Sequence, residues 1–272
     1  MTTKTVLVTG TSSGIGLATA VALAEAGWRV IATMRDTGRA AALREAAGEL
    51  PGLEVRALDV TDPASIDACL AGLDRLDAVV NNAGAGHVGT LELDSIEQIR
   101  GVLEVNFFGV LNVSKAALPL LRASGGRLLT VTSVGGVVGQ PFNEAYCAAK
   151  FAVEGYLESL APVAAQQGIA VTVVEPAAVA SEFVGNVGGT DRGLEQDDRY
   201  GPAFAAYLAQ VGQAFAAAQP VREAAEVIVA TLAAERPPFR VQTSERARAV
   251  AALKLADTDG SAVQRATSGW IA

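Results

Sequence analysis

The sequence has little of what builds metal sites or disulfide frameworks: one histidine and two cysteines in 272 residues. Cys69 and Cys147 are too few for a disulfide scaffold and read as reduced thiols. No cysteine, histidine and carboxylate group falls at ligand spacing, so no metal is expected. A Ser-His-Asp hydrolase would have to use the single histidine, His87, and no G-x-S-x-G elbow accompanies it. Positive charge is also scarce. There are 21 basic against 29 acidic residues, a net charge of −8, and no basic cluster, so nucleic acid and anionic membrane are not expected as partners. No apolar run reaches the roughly 18–20 residues needed to span a bilayer. The start, "MTTKTVLVTG", passes into a strand pattern with no signal segment. These absences together lead us to expect a soluble, cytoplasmic protein.

What is present is apolar surface for a large core. Hydrophobic residues make up 50% of the chain, with alanine and glycine prominent among the small ones. Short Val/Ile/Leu runs predict strands over 5–9, 29–33, 53–58, 76–81, 127–132, 169–174 and 239–243. The early runs are continuous, as in strands covered on both faces. Helical stretches separate them; the first, 15–26, stops at Gly27. The βαβ alternation argues an α/β fold, a Rossmann-type doubly wound parallel sheet in three layers. No linker or repeat interrupts it, so one domain is expected over 1–272. The least regular segment, 182–219, is an insertion of the kind that closes over substrates.

Between the first two strands runs "TGTSSGIG" at 9–16. Glycines at 10, 14 and 16 let a turn tighten against a pyrophosphate, and the following helix offers free N–H groups and the positive end of its dipole. Ser12 and Ser13 add hydroxyls. The second strand ends Thr33-Met34-Arg35-Asp36. An acid that would take the ribose hydroxyls of NAD is expected near Met34. Arg35 instead suits a 2′-phosphate, and Asp36 leaves NAD open. Asp59 ends the third strand and is placed to accept from an adenine amino group. Asn82, Ala83 and Gly84 end the fourth strand with side chains small enough for a cofactor to lie against. Asn106 interrupts an apolar helical run, where an amide is mildly unfavourable; it is either a buried amide satisfied by backbone or a distortion that holds a water.

"SVGGVVGQPFNEAYCAAKFAVEG", 133–155, carries the strongest chemical signal. Tyr146 and Lys150 are four residues apart and share a helix face. A free phenol titrates near pH 10, too high for easy proton exchange. An ammonium about 4 Å away at an effective dielectric near 20 would lower it by up to about three units. Ser133, at a strand end, is placed to donate to a carbonyl oxygen beside the phenol.

Taken together, "TGTSSGIG", "NNAG" at 81–84, Asn106, Ser133 and "YCAAK" at 146–150 resemble the short-chain dehydrogenase/reductase family in order and spacing, over roughly residues 4–243. The resemblance implies a seven-stranded sheet and a tetrad of Asn106, Ser133, Tyr146 and Lys150. Lys150 would also hold the nicotinamide ribose and feed a proton relay through water near Asn106. Cofactor contacts are implied at Gly10, Ser12, Ser13, Gly14, Ile15, Gly16, Arg35, Asp59, Val60, Asn82, Ala83, Gly84, Pro176, Val179 and Ser181. Within the family, "ATMRD" and the stretch "VQTSERARAVAALKLAD" are similar to the 17β-hydroxysteroid dehydrogenase type 1 and retinol dehydrogenase subgroup, which prefers NADP. Ala177 stands where the family has a glycine; a left-handed backbone there would cost about 1 kcal/mol.

The expected activity is interconversion of a carbonyl and its alcohol with NADP(H), NAD(H) being the lesser candidate. The expected substrate is a bulky apolar carbonyl, steroid-, retinoid- or polyketide-like, in a pocket flanked by Phe142, Val179, Phe183 and Val187. The nearly all-round apolar helix at 143–165 implies a homodimer or homotetramer. Two other functions fit the same fold: a dinucleotide sensor without turnover, and epimerase or lyase chemistry on the same scaffold.

Overall fold

The computed structural model describes residues 3–181, 193–194 and 197–272. The chain alternates strand and helix: β1 (Thr5–Val8), α1 (Gly14–Glu25), β2 (Arg29–Met34), α2 (Ala41–Ala47), β3 (Leu53–Ala57), α3 (Pro63–Leu70), β4 (Ala78–Asn81) and α4 (Ile96–Leu103). Then follow α5 (Gly109–Ser124), β5 (Arg127–Val131), α6 (Glu144–Ala165), β6 (Ala170–Glu175), the two-residue β7 (Val179–Ala180), α7 (Gly201–Ala216), the two-residue β8 (Gln219–Pro220), α8 (Val221–Ala233), β9 (Arg240–Gln242), α9 (Glu245–Ala256) and α10 (Ser261–Ser268).

Seven strands pair in the order β3-β2-β1-β4-β5-β6-β9, and every ladder is parallel. All seven expected strands are present, with ends moved by one or two residues. Successive residues of a strand point to opposite faces, so β1 divides its apolar run between two cores. Leu7 joins Ile66, Leu121, Leu128 and Leu157 on one face. Val6 and Val8 join Leu23, Leu43 and Ile228 on the other. This is why the strands read as continuous apolar runs rather than alternating ones.

The strand order reverses between β1 and β4. At such a switch point the loops leaving neighbouring strands run in opposite directions, and a crevice opens at the carboxyl ends. The glycine turn, the Asn82–Gly84 loop, Ser133 and Pro176 all follow the carboxyl ends of adjacent strands, β1, β4, β5 and β6. The expected 182–219 insertion contributes α7 and β8 among the described residues, and β8 pairs with β7. No helix among the described residues is long and apolar enough to cross a membrane.

Candidate active site

The glycine turn is locked by an asparagine from the neighbouring strand. Asn82 Nδ2 donates to the carbonyls of Thr9 and Gly10, both at 3.0 Å. The Thr9 hydroxyl in turn accepts from the backbone N–H groups of Asn82 and Ala83, each at 2.9 Å. Gly10 and Gly14 take left-handed backbones, φ 69° and 57°, which glycine adopts without steric cost. Gly16 is required by proximity instead: a Cβ there would lie 2.3 Å from Asn82 Nδ2. Asn82 therefore holds two loops together, a duty its position in the sequence did not reveal. Ser12, Ser13 and Gly14 line a cavity of about 910 Å³, with Ser181 and with Leu208 and Val211 of α7 across from them.

The adenosine end is arranged differently from expectation in one respect. Met34 is 4% exposed and packs into the core behind β2, so that position cannot present an acid to a ribose without burying a carboxylate. Arg35, next along, is exposed. The Asp36 carboxylate turns back to accept from Gly38 N at 2.9 Å, capping the following 3-10 turn. At the end of β3, Asp59 Oδ1 accepts from the N–H and hydroxyl of Thr61. The Thr61 backbone bond, helped by its hydroxyl and by the charge of Arg35, holds the Asp59 carboxyl below its usual range, against the effect of burial. Val60 is buried; a Cβ on Gly109 would meet its side chain at 2.6 Å. Ile15 is half-buried and packs on the β1–β2 core.

The four tetrad residues gather where β4, β5, α6 and the start of α5 meet. Asn106 sits in a π turn, Glu104–Phe108, 0% exposed. Its amide is bonded on both sides: Nδ2 donates to Ala85 O (2.8 Å) and Val102 O (3.0 Å), and Oδ1 accepts from Ala85 N (3.2 Å). The amide is thus satisfied by backbone, the first of the two sequence readings, and the helix around it is distorted into a π turn. Gly84 is where the pieces touch: a Cβ there would stand 2.9 Å from Asn106 Oδ1 and 3.5 Å from Lys150 Nζ. Ser133 is hydrogen-bonded to Tyr146 and its Oγ accepts from Gly135 N at 3.0 Å. Lys150 Nζ lies 5.7 Å from the Tyr146 ring centroid and donates to Val131 O at 3.3 Å.

The electrostatics correct the expected phenol. Burial pushes Tyr146 well above its ordinary value, and the bond to Ser133 opposes this only in part. Burial also pushes Lys150 down, to about 8, against the charge of Glu154. Desolvation is the largest cause of both shifts, because both groups are taken out of water.

The strand-six corner is relaxed. Pro176 is buried and its carbonyl accepts from Val134 N at 2.9 Å. Phe142 is the only non-glycine residue with positive φ among those described, so Ala177 carries no left-handed strain and the expected penalty does not arise. Val179 is buried, and Ser181 faces the glycine turn: a Cβ on Gly14 would be 3.3 Å from its own. Phe142, at φ 58°, packs edge-on to Phe204 of α7 at 5.1 Å beside Val88, Leu194 and Tyr207. Asn143 Nδ2 donates to Tyr207 Oη at 2.7 Å. Phe183 and Val187 lie outside the described residues.

Sequence reading missed two polar clusters here. His87 Nε2 and Asp94 Oδ2 are 2.8 Å apart and buried, bracing the loop after β4. Glu154, Glu175 and Arg240 form a buried cluster behind Lys150. Of these, Glu154 had a local signal, an acid four residues beyond Lys150 on a small-residue helix.

Comparison with known proteins agrees with this geometry. The family model described as short chain dehydrogenase matches residues 4–191. Retinol dehydrogenase 8 of Bos taurus is 40% identical over 277 residues, covering 95% of this chain and 87% of its own. The human 17-beta-hydroxysteroid dehydrogenase type 1 is 40% identical over 274 residues, covering 96% and 84%. A short-chain dehydrogenase of Streptomyces avermitilis, solved by crystallography, superposes with a TM-score of 0.82 at 31% identity, covering 99% of this chain and 96% of that one.

Replacing Asn82 by alanine removes both donors from the carbonyls of Thr9 and Gly10. The expected result in chemical denaturation is a loss of about 1–3 kcal/mol, with weaker cofactor binding in a fluorescence titration. Unchanged stability and affinity would show that the glycine turn holds its shape without the clamp.

Proposed function

Because the chain belongs to the short-chain dehydrogenase family, and is with it an oxidoreductase of CH–OH groups that uses a nicotinamide dinucleotide, we propose that it is an NADP(H)-dependent enzyme interconverting a bulky apolar ketone or aldehyde with its alcohol. The observation that carries this reading is the linked set of contacts in which Asn106 and Lys150 meet at Gly84, Lys150 lies 5.7 Å from the Tyr146 ring and Ser133 bonds Tyr146. The residues present fit such a cofactor. The close packing at Gly10, Gly14 and Gly16 leaves backbone, not side chains, facing the crevice, and Arg35 stands exposed at the end of β2.

When bound, the nicotinamide donates or accepts the hydride. The protein's part is orientation and proton handling. Ser133 holds the substrate oxygen against the phenol, and Tyr146 passes its proton to or from that oxygen. Lys150 holds the nicotinamide ribose, and Asn106 fixes the 84–86 loop beside the relay. Gly10, Ser12, Ser13, Gly14, Ile15, Gly16 and Ser181 would hold the pyrophosphate. Asp59 and Val60 would hold the adenine, Asn82, Ala83 and Gly84 the adjoining ribose, and Pro176 and Val179 the nicotinamide. Arg35 would pair with a 2′-phosphate, since the capped Asp36 turns its carboxylate to the backbone.

α7 brings apolar residues to the cavity: Leu208, Val211 and Phe215 line it together with Ser12 and Ser181. Phe204 and Tyr207 of the same helix join Phe142 and Val88 in a buried apolar cluster. Apolar-lined pockets select by apolar area, and the names of the two vertebrate relatives point the same way. The whole chain, 1–272, works in this reading as one cytoplasmic oxidoreductase domain. Phe108, Phe151, Tyr156 and Val163 stand exposed at the start of α5 and along α6, a face we assign to contact between subunits of a homodimer or homotetramer.

Two substitutions test the assignment. Tyr146→Phe is expected to lower turnover of apolar carbonyls by about a hundredfold or more while NADPH still binds; turnover close to wild type would remove the tyrosine from proton transfer. Arg35→Ala is expected to lower the ratio of kcat/KM for NADPH over NADH by about 10- to 100-fold, the worth of one charge-assisted bond to phosphate. A wild-type enzyme that prefers NADH, or a ratio that does not move, would make Arg35 a solvated surface residue.

A further inference from the structure

Lys150 is a buried ammonium, 5% exposed, and it donates to one backbone carbonyl, that of Val131. A charge so placed needs a counter-charge close by. Its neighbours can be taken element by element. On α6 the titratable groups near it are Tyr146, Cys147, Glu154 and Glu158. β5 presents the Val131 carbonyl and, one residue on, the Thr132 hydroxyl. β6 presents Glu175 and β9 presents Arg240. The loop after β4 and the π turn present Gly84 and the Asn106 carboxamide, both uncharged.

Glu154 lies one helical turn beyond Lys150, on the side away from Tyr146, and is 2% exposed. Its carboxylate is held from three directions. Thr132 Oγ1 donates to Oε1 at 2.7 Å. Arg240 pairs with Oε2. Gly136, three residues past Ser133, leaves the room it occupies: a Cβ there would be 2.6 Å from Oε1. Arg240 also pairs with Glu175 at 2.6 Å, which is 0% exposed, and with Glu158 at 3.0 Å. Gln242 donates to the other oxygen of Glu175 at 2.9 Å. The buried cluster therefore holds two carboxylates, Glu154 and Glu175, and two cations, Arg240 and Lys150.

We propose that Glu154 is a positioning residue for the reaction: its carboxylate, fixed by Thr132 and Arg240, is the counter-charge that keeps the buried Lys150 ammonium protonated and aimed at the site. This rests on the reading of Lys150 as the cation that holds the ribose and attends the phenol. Burial and the neighbouring Glu175 push the Glu154 carboxyl up, to about 7, while Thr132 and Arg240 oppose this. Lys150, pushed down to about 8, is raised by Glu154. Burial disfavours the charge on both groups and the Glu154 carboxylate favours the charge on Lys150, so removing that carboxylate moves deprotonation of Lys150 to lower pH.

The chain has four lysines, Lys4, Lys115, Lys150 and Lys254, few enough for direct titration by NMR with carbon-13-labelled lysine, the Lys150 signal being identified by its loss in Lys150→Arg. Glu154→Gln keeps shape and removes charge; it is expected to lower the Lys150 midpoint by about one pH unit or more. The alkaline fall of kcat/KM should move with it. Thr132→Val keeps Glu154 but removes a bond to its carboxylate, and is expected to shift the midpoint the same way by less. If Glu154→Gln does not fold, Thr132→Val decides alone. A Lys150 midpoint unchanged or raised in the folded variants, or activity lost equally at all pH without a shift, overturns the proposal. The NMR titration is independent of turnover: if Lys150→Met keeps full activity, the reading of the site fails whatever Glu154 does.

Discussion

The burial of Lys150 is the constraint to which its surroundings conform. An ammonium taken out of water costs several kcal/mol unless charge and hydrogen bonds replace the solvent. Each neighbour answers part of that demand. Gly84 has no side chain, so the loop after β4 can pass within contact of Nζ. β5 ends so that the Val131 carbonyl accepts from it. The π turn in the helix before α5 places the Asn106 amide against the same loop. Glu154 supplies the opposite charge from the next turn of α6, and Arg240 reaches in from the last strand of the sheet to hold it. The last strand is thereby tied to the site, although it is 86 residues away from Glu154 in the chain.

Much of this was legible in the sequence, and what was not has a common cause. Most of the strands were readable because they are short apolar runs bounded by glycine or polar residues, a local signal. The site was readable where its residues come in fixed short spacings: the three glycines, Asn82 to Gly84, and Tyr146 with Lys150. The ion cluster was invisible because Arg240, Glu175 and Glu154 belong to three elements far apart in the chain, and periodicity reports only near neighbours. Asn82 was placed at the site but its duty was not, since the clamp depends on strand order β1-β4 bringing Thr9 beside it. At the end of β2, Met34 packs into the core while Arg35, one residue on, is exposed, a difference that the pleat makes and residue counting from the glycine turn does not show.

The same burial changes how the phenol must work. A lysine in water would pull a tyrosine down; here both are desolvated, so Tyr146 rises and Lys150 falls. Spacing along a helix gives proximity, and proximity alone does not fix the sign of a shift. For Tyr146 to exchange protons near neutral pH, further positive charge has to arrive. The positive charge of an oxidised nicotinamide would act in that direction.

The direct test is the ultraviolet titration of the Tyr146 phenolate, taken as the difference between wild type and Tyr146→Phe, with and without saturating oxidised cofactor. The account predicts that Tyr146 alone stays protonated through the ordinary tyrosine range near pH 10, and that the cofactor brings its ionisation down by about two units or more. A midpoint already low in the free enzyme, or one that the cofactor leaves unmoved, would contradict it.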